Sequence, residues 1–259
     1  MPLEITFSGL EAQKNHIEAD EGLESLAGMA HAATLVAHFV ATGKIRQRTP
    51  YDNRLRFFFQ DTRPGSLTAL LELGGALAIG VAGNAVYDVL KATWQRAIGI
   101  GEEGDLETEA ANYRSGDLDA LADALSPSLL RGHSWIDHPQ QIIKIRTGRQ
   151  IISEFNQLTK RHLKEEIFED DVNNQDVSVA ALNVNARTGR VFFFNLGRTI
   201  PFRVPKDANG QTIPNLSIYL TKYAEKNPKR VNIEFQKISR LDGTLKRILI
   251  KNCKEIDEI

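Results

Sequence analysis

A break in the apolar pattern at Gly74 constrains this chain more than any other feature. Before it, two apolar stretches, Leu55 to Gln60 and Ser66 to Leu73, flank Asp61-Thr62-Arg63-Pro64-Gly65. Proline presets φ and glycine tolerates positive φ, so this segment reads as a β-hairpin. After it, residues 74–94 are rich in glycine and alanine and read as a helix lined with small residues, against which another element packs closely. Upstream, Leu3 to Phe7 alternates like a strand. Leu26, Met29, Ala33, Val36 or Ala37, and Val40 then recur at spacings of three and four, which predicts a helix from Gly22 to Thr42 closed by Gly43. The order strand, helix, strand, strand, helix describes an α+β module over residues 1–100, with helices covering one face of a small sheet.

Charge divides the rest of the chain. The whole sequence carries a net −1, yet residues 101–125 hold eight acidic side chains against Arg114 alone. Residues 186–259 hold 15 Lys and Arg against 7 Asp and Glu, a net of +8. This asymmetry predicts an acidic connector with helices over 101–175 and a basic β-rich domain over 176–259. In the connector, Ser115-Gly116-Asp117 can cap a short helix through Leu118, Leu121, Ala122 and Leu125, and Ser126-Pro127 starts a new turn. Ile142, Ile143 and Ile145 read as a strand ending at Thr147-Gly148, and Ile151, Ile152, Phe155 and Leu158 as a helix.

From Asp176 the apolar period becomes two. Strands are predicted over 177–185, 191–195 and 200–204, a helix over 216–223, and a hairpin from Val231 to Asn252 that turns at Asp242-Gly243. That inventory suits a small barrel or strongly curved sheet of the OB or SH3-like size. The fold class is therefore α+β: an N-terminal strand-helix-hairpin-helix module and a C-terminal small β-barrel or curved-sheet domain.

Several classes of function find no support. The single cysteine, Cys253, leaves no internal disulfide and no cysteine-based zinc site. The first residues lack the basic and apolar regions of a signal peptide. The longest run free of both charged residues and histidine, Leu73 to Tyr87, has 15 residues, short of the roughly 18 to 20 that cross a bilayer. A cytoplasmic protein with no membrane span, no metal and no cofactor is the expectation. Gly80 to Gly83 and Thr42-Gly43-Lys44 echo phosphate loops, but neither holds both glycines, the lysine and the hydroxyl in one strand-to-helix turn.

The candidate sites are four. His31 and His38, seven residues apart, share a helix face but lie too far apart to chelate one metal. His133-Ser134-Trp135-Ile136-Asp137-His138 gathers two imidazoles, a hydroxyl and a carboxylate, the groups of nucleophilic catalysis, without the spacing of a known motif. Lys44, Arg46, Arg48, Arg54 and Arg56 surround Thr49-Pro50-Tyr51. In the β-rich domain, Arg187, Arg190, Arg198 and Arg203 interleave with Phe192, Phe193, Phe194 and Phe202. Cations for phosphates and aromatics for bases are what a single-strand-binding surface requires. On a strand, Phe192 and Phe194 share one face and Phe193 takes the other.

The segment Leu55 to Leu73, with its Arg-Pro-Gly-Ser turn and the small-residue helix after it, is similar to segments of uncharacterised bacterial proteins associated with mobile elements and phage defence. The resemblance covers residues 1–100 and Asn183 to Val204, and its motifs are structural. It implies a bacterial protein working within a multi-gene system, and no site residue carries over. The leading expectation is a non-enzymatic binding or assembly protein. Arg187, Arg190, Arg198 and Arg203 would hold phosphates, Phe192 or Phe194 would stack on bases, and Lys44, Arg46 and Arg48 would form a second basic group. The alternatives are a homo-oligomeric or protein-binding scaffold using helix 74–94, and an enzyme with its site at His133 to His138.

Overall fold

Leu3, Ile5 and Phe7 are buried while Glu4, Thr6 and Ser8 are not, the pattern of a strand with one face on a core. The structure is a computed structural model of the chain. It describes residues 2–10, 12, 16–63, 67–78, 81–100, 109–225 and 229–254. The elements are β1 (Leu3–Ser8), α1 (Ala19–Thr42), β2 (Arg56–Arg63), β3 (Leu67–Gly74), α2 (Val81–Ile98), α3 (Ser115–Gly132), β4 (Ile142–Thr147), β5 (Gln150–Phe155) and α4 (Gln157–Lys164). There follow β6 (Ile167–Asn183), β7 (Thr188–Phe193), β8 (Arg198–Arg203), α5 (Thr212–Ala224), β9 (Val231–Ser239) and β10 (Leu245–Lys254). The chain divides into two units, Met1–Lys164 and Glu165–Ile259.

In the first unit the sheet order is β2-β3-β1-β4-β5. β1 lies in the middle, with Leu3 opposite Leu71 on one side and Thr147 on the other, both antiparallel. One core joins Leu3, Ile5 and Phe7 to Met29, Val36, Trp94, Leu121, Ile143 and Phe155. A strand needs partners on both edges to satisfy its backbone inside a sheet, and β4 supplies the second. The module predicted to close at residue 100 therefore extends to Lys164. The stretch 101–175 is not a separate connector: its described elements α3, β4, β5 and α4 belong to this unit, and its last residues open β6. The acidic residues 101–108 lie outside the described residues, as does the Pro64-Gly65 turn.

α1 is long and apolar enough by itself to cross a bilayer, a feature the run criterion missed because His31 and His38 interrupt the otherwise uncharged stretch from Ser25 to Gly43. Its buried residues, among them Met29, Ala33 and Val36, lie in the core of this unit. Gly43, at φ 67°, closes it by donating its N–H to the Phe39 carbonyl at 2.7 Å, as predicted. The close helix approach occurs here: a Cβ on Gly28 would stand 2.4 Å from the Gly132 nitrogen of α3.

Three other predictions need correction. The helix expected from Gly74 begins at Val81, because Gly74 ends β3 and Gly75 turns the chain at φ 110°. α3 runs straight through Pro127 instead of breaking there. Residues 150–155 form a strand paired antiparallel with β4, and that pairing shifts between Ile145↔Ser153 and Arg146↔Ile151. That bulge buries Ile152 and Ser153 together and makes the Ile152–Phe155 spacing look helical.

In the second unit the barrel closes in the order β10-β8-β7-β6-β9. β8 and β10 run parallel and the remaining pairs antiparallel. The 17-residue β6 pairs with both β7 and β9. α5 sits between β8 and β9 in the chain, and its Leu216 and Tyr219 join Val179, Val191, Ile200, Phe235 and Ile250 in the core. A five-stranded Greek-key barrel with a helix after its third strand has the connectivity of the OB barrel. β6 begins ten residues before the first predicted strand, at Ile167 instead of Val177. Its early half is polar and mostly exposed, so it carries no alternation to read. With the two residues before it, β6 brings Glu165, Glu166, Glu169, Asp170, Asp171 and Asp176 into the unit. Glu165–Ile259 thus holds 15 Lys and Arg against 13 Asp and Glu, so a net of +2 replaces the +8 counted from residue 186.

Candidate nucleic-acid interface

Val191 and Phe193 of β7 are buried, with Phe193 edge-on to Phe235 at 5.6 Å. Alternation sends Thr188, Arg190 and Phe192 to the outer face, and Phe194, just past the strand, continues the row at 43% exposure. Successive members of such a row stand about 7 Å apart, twice the strand rise. On β8, Ile200 and Phe202 point inward, and Pro201 and Arg203 face outward opposite Arg190 and Thr188.

At one end of this row is an aromatic platform. The Phe192 and Phe194 rings meet edge to face at 5.3 Å, and the Arg230 guanidinium lies 4.3 Å from the centre of the Phe194 ring. A guanidinium stacked on an aromatic ring presents a flat cationic surface in its turn. At the other end is a pocket of about 510 Å³ bordered by Arg190 of β7, Arg203 of β8 and Arg247 of β10, with Pro201 and Ala181 as apolar wall. Gly189 belongs to its floor for a steric reason: a Cβ there would stand 2.5 Å from the Phe202 ring that lies across it.

The predicted arginines divide. Arg187 sits at φ 53° in the β6–β7 turn and donates to the Val204 and Pro205 carbonyls at 3.0 and 2.8 Å. Arg198 donates to the Leu245 carbonyl at 3.0 Å. Both therefore spend donors on holding the barrel together. Arg190 is braced by Thr199, its Nε donating to the hydroxyl at 3.0 Å and Nη2 to the carbonyl at 3.1 Å. Arg203 is exposed on the outer face. Arg230 and Arg247 were missed. They lie between 27 and 55 residues along the chain from Phe192 and Arg203, and only barrel closure brings them alongside.

Arg247 is paired with Glu166, which also holds Lys246 at 3.0 Å. Burial pushes the Glu166 carboxyl up, but the hydrogen bonds from Lys246 and Arg247 outweigh it and leave it below the ordinary carboxylate range. Glu166 does not border the pocket, and among the described residues no Asp or Glu does. The Arg247 Nε–H is buried with no hydrogen-bond partner among the described residues.

The sites predicted in the first unit take structural roles. His31 and His38 do converge, but on Tyr51 of their own chain, with ring centres 6.0 and 5.9 Å away. Tyr51 donates its hydroxyl proton to the Gln47 carbonyl at 3.0 Å, so it accepts from His31 Nε2 at 2.8 Å. His31 Nδ1 then accepts from the Ser128 hydroxyl at 2.8 Å. His38 Nδ1 accepts the Asp52 N–H at 3.0 Å. Burial lowers the pKa of both imidazoles, with Arg131 adding to the effect at His31. Lys44, Arg46 and Arg48 are exposed in this loop, and Arg46 Nε donates to the Arg48 carbonyl at 2.9 Å. They belong to the first unit, not to the barrel. Arg54 is taken up by Asp52 at 2.9 Å.

The cluster at 133–138 is dispersed. His133 is fully buried, stacked on Phe155 at 4.2 Å, and bonded to the Leu129 carbonyl and the Thr159 hydroxyl. Burial, with Lys160 adding a little, holds its pKa down at about 4. Asp137 turns outward to Lys160 at 2.7 Å, and His138 is exposed. Trp135 is buried edge-on against Phe7. No nucleophile, base and orienting group meet there. Among the described residues no three His, Cys, Asp or Glu side chains gather as a metal site.

Residues 3–127 match a family model described as a domain of unknown function (DUF7946). No curated protein and no solved structure matches the chain. The matched segment ends inside α3 and includes none of the barrel, whose surface must be read from its own geometry.

Proposed function

We propose that the chain is a non-enzymatic binding protein whose barrel holds single-stranded nucleic acid on the outer face of β7 and β8. One observation carries the reading: the row Arg190, Phe192 and Phe194, flanked by Arg203 and Arg230, sets one guanidinium and two aromatic rings along the outer face of β7 and just past its end. OB barrels bind oligonucleotides and oligosaccharides on the face of their second and third strands. In this barrel those strands are β7 and β8. Fold alone assigns no function, and the guanidiniums favour a polyanion over a neutral sugar. The two phenylalanines offer a platform that accepts any base. The resemblance to bacterial mobile-element and defence proteins fits such a role within a multi-gene system.

The scaffold reading is weaker, because the small-residue helix has its buried residues, Val86, Val89, Leu90, Trp94 and Ala97 among them, in the core of its own unit. Fluorescence anisotropy with labelled single- and double-stranded DNA and RNA at several salt concentrations tests the proposal. Contacts from Arg190, Arg203 and Arg230 predict a slope of log K against log salt of about −2, at about −0.7 per contact. Binding that ignores salt, or no binding at low salt, would refute it.

A further inference from the structure

Three strands each contribute one guanidinium to a single pocket: Arg190 from β7, Arg203 from β8 and Arg247 from β10. Arg190 and Arg203 are diagonal neighbours across β7 and β8, which sets their Cβ atoms about 7–8 Å apart. β10 runs parallel beside β8, with Ile248 opposite Phe202, so Arg247 arrives one residue earlier on the same side. Among the described residues no carboxylate borders the pocket, Thr188 and Asn183 add neutral polar groups, and the Arg247 Nε–H lacks a partner. Guanidiniums are forked donors that match phosphate oxygens. Arg247 already shares its charge with Glu166, yet Arg190 and Arg203 alone bring two charges where one internal phosphodiester carries a single one.

The shape points the same way. The β6–β7 turn borders the pocket through Ala186. That turn is stapled by the two hydrogen bonds of Arg187 to Val204 and Pro205. This wall lies across the line of the row beyond Thr188, where a bound strand would have to end or turn.

We propose that the Arg190–Arg203–Arg247 pocket takes a phosphomonoester: the dianionic phosphate at the end of a nucleic-acid strand, with its terminal nucleoside against Pro201 and Ala181. The inference rests on the nucleic-acid reading of the barrel and adds to it a preference for phosphorylated ends. A free nucleotide shares that chemistry and is the other possible source.

The test uses the full chain and internally labelled oligonucleotides of one sequence bearing a 5′-phosphate, a 3′-phosphate or only hydroxyl ends. One phosphorylated form is expected to bind about tenfold tighter than the hydroxyl form, the size of one charge-assisted hydrogen bond. Arg203→Ala, which removes an exposed side chain, should abolish the difference and leave the barrel folded. Because Glu165–Ile259 contains no histidine, the preference should fade on acidification through about pH 6, where the phosphomonoester takes up its second proton. Equal affinity for all three ends would overturn the pocket assignment and leave the barrel reading standing. Binding of a nucleoside monophosphate, lost in Arg203→Ala, without binding of any oligonucleotide would keep the phosphomonoester site and refute the strand. No binding of either would overturn both.

Discussion

The two units spend their polar side chains in opposite ways. All six histidines and both tryptophans lie before Lys164, and the only cysteine lies after it. In the first unit His31, His38 and His133 each hydrogen-bond within the fold, tying a loop or a helix end in place. The barrel has no imidazole, and its guanidiniums divide between turn staples and an outer face. The difference teaches that a chemically capable residue type says little until its hydrogen bonds are counted. The densest cluster of such groups in the sequence became packing, and a sparse alternation on one strand became the candidate surface.

The division supplies its own probes, since tryptophan fluorescence reports only the first unit and Cys253 labelling only the second. Burial pushes the Cys253 thiol up to about 12, so it should react only as the barrel opens. Phe155→Ala removes the ring between His133 and Trp94 and should destabilise the first unit by about 3–5 kcal/mol. Its fluorescence transition should shift to lower denaturant with Cys253 protection unchanged. Coincident shifts of both probes would break the comparison and make the chain one cooperative block.

Acid should act on the same side. His133 has a pKa of about 4 when folded and about 6.5 when unfolded. The unfolded state therefore binds a proton that the folded state refuses between those values. Stability of the first unit should be full above pH 6.5 and decline by about 3 kcal/mol as pH falls to 4. His133→Gln should flatten that decline in urea melts read by fluorescence. A decline of equal size in the barrel would contradict the assignment.

Smaller effects sharpen the barrel side. Phe194→Ala should weaken single-strand binding by about 1–3 kcal/mol, and the Lys44→Ala, Arg46→Ala, Arg48→Ala triple variant should leave it unchanged. Equal losses from both would place the binding surface on the wrong unit. Arg187→Ala should cost the barrel about 1–2 kcal/mol of stability through its lost carbonyl bonds. Oligonucleotide affinity measured well below the new midpoint should stay the same. A selective loss of affinity would return Arg187 to the phosphate contacts.

Legibility followed the reach of each signal. Local periodicity identified α1 with its Gly43 stop, the β9–β10 hairpin and the alternation that hides Phe193 and shows Phe194. It failed where pairing is irregular or non-local. The bulge at Ile152 imitated a helical spacing, and the polar first half of β6 had no apolar face to display. The boundary at Lys164 depends on Leu3 meeting Thr147, a contact that no window of sequence contains. Of the candidate surface, Arg190, Arg203, Phe192 and Phe194 were legible as an interleaved pattern. Arg230 and Arg247 were not, because their neighbourhood exists only in the closed barrel.

The central position of β1 also governs the order in which the protein can assemble. It is synthesised before the other strands of its sheet, yet one of its two edges is satisfied only when residues near Ile143 and Ile145 have emerged. Pairing across so long a loop is intrinsically slow. During translation the first unit therefore waits with an apolar strand half-paired, and the barrel, whose strands all follow, cannot shorten that wait. A nascent chain halted inside α3 would leave that edge of β1 bare. Chaperone binding and aggregation should concentrate at that stage of synthesis.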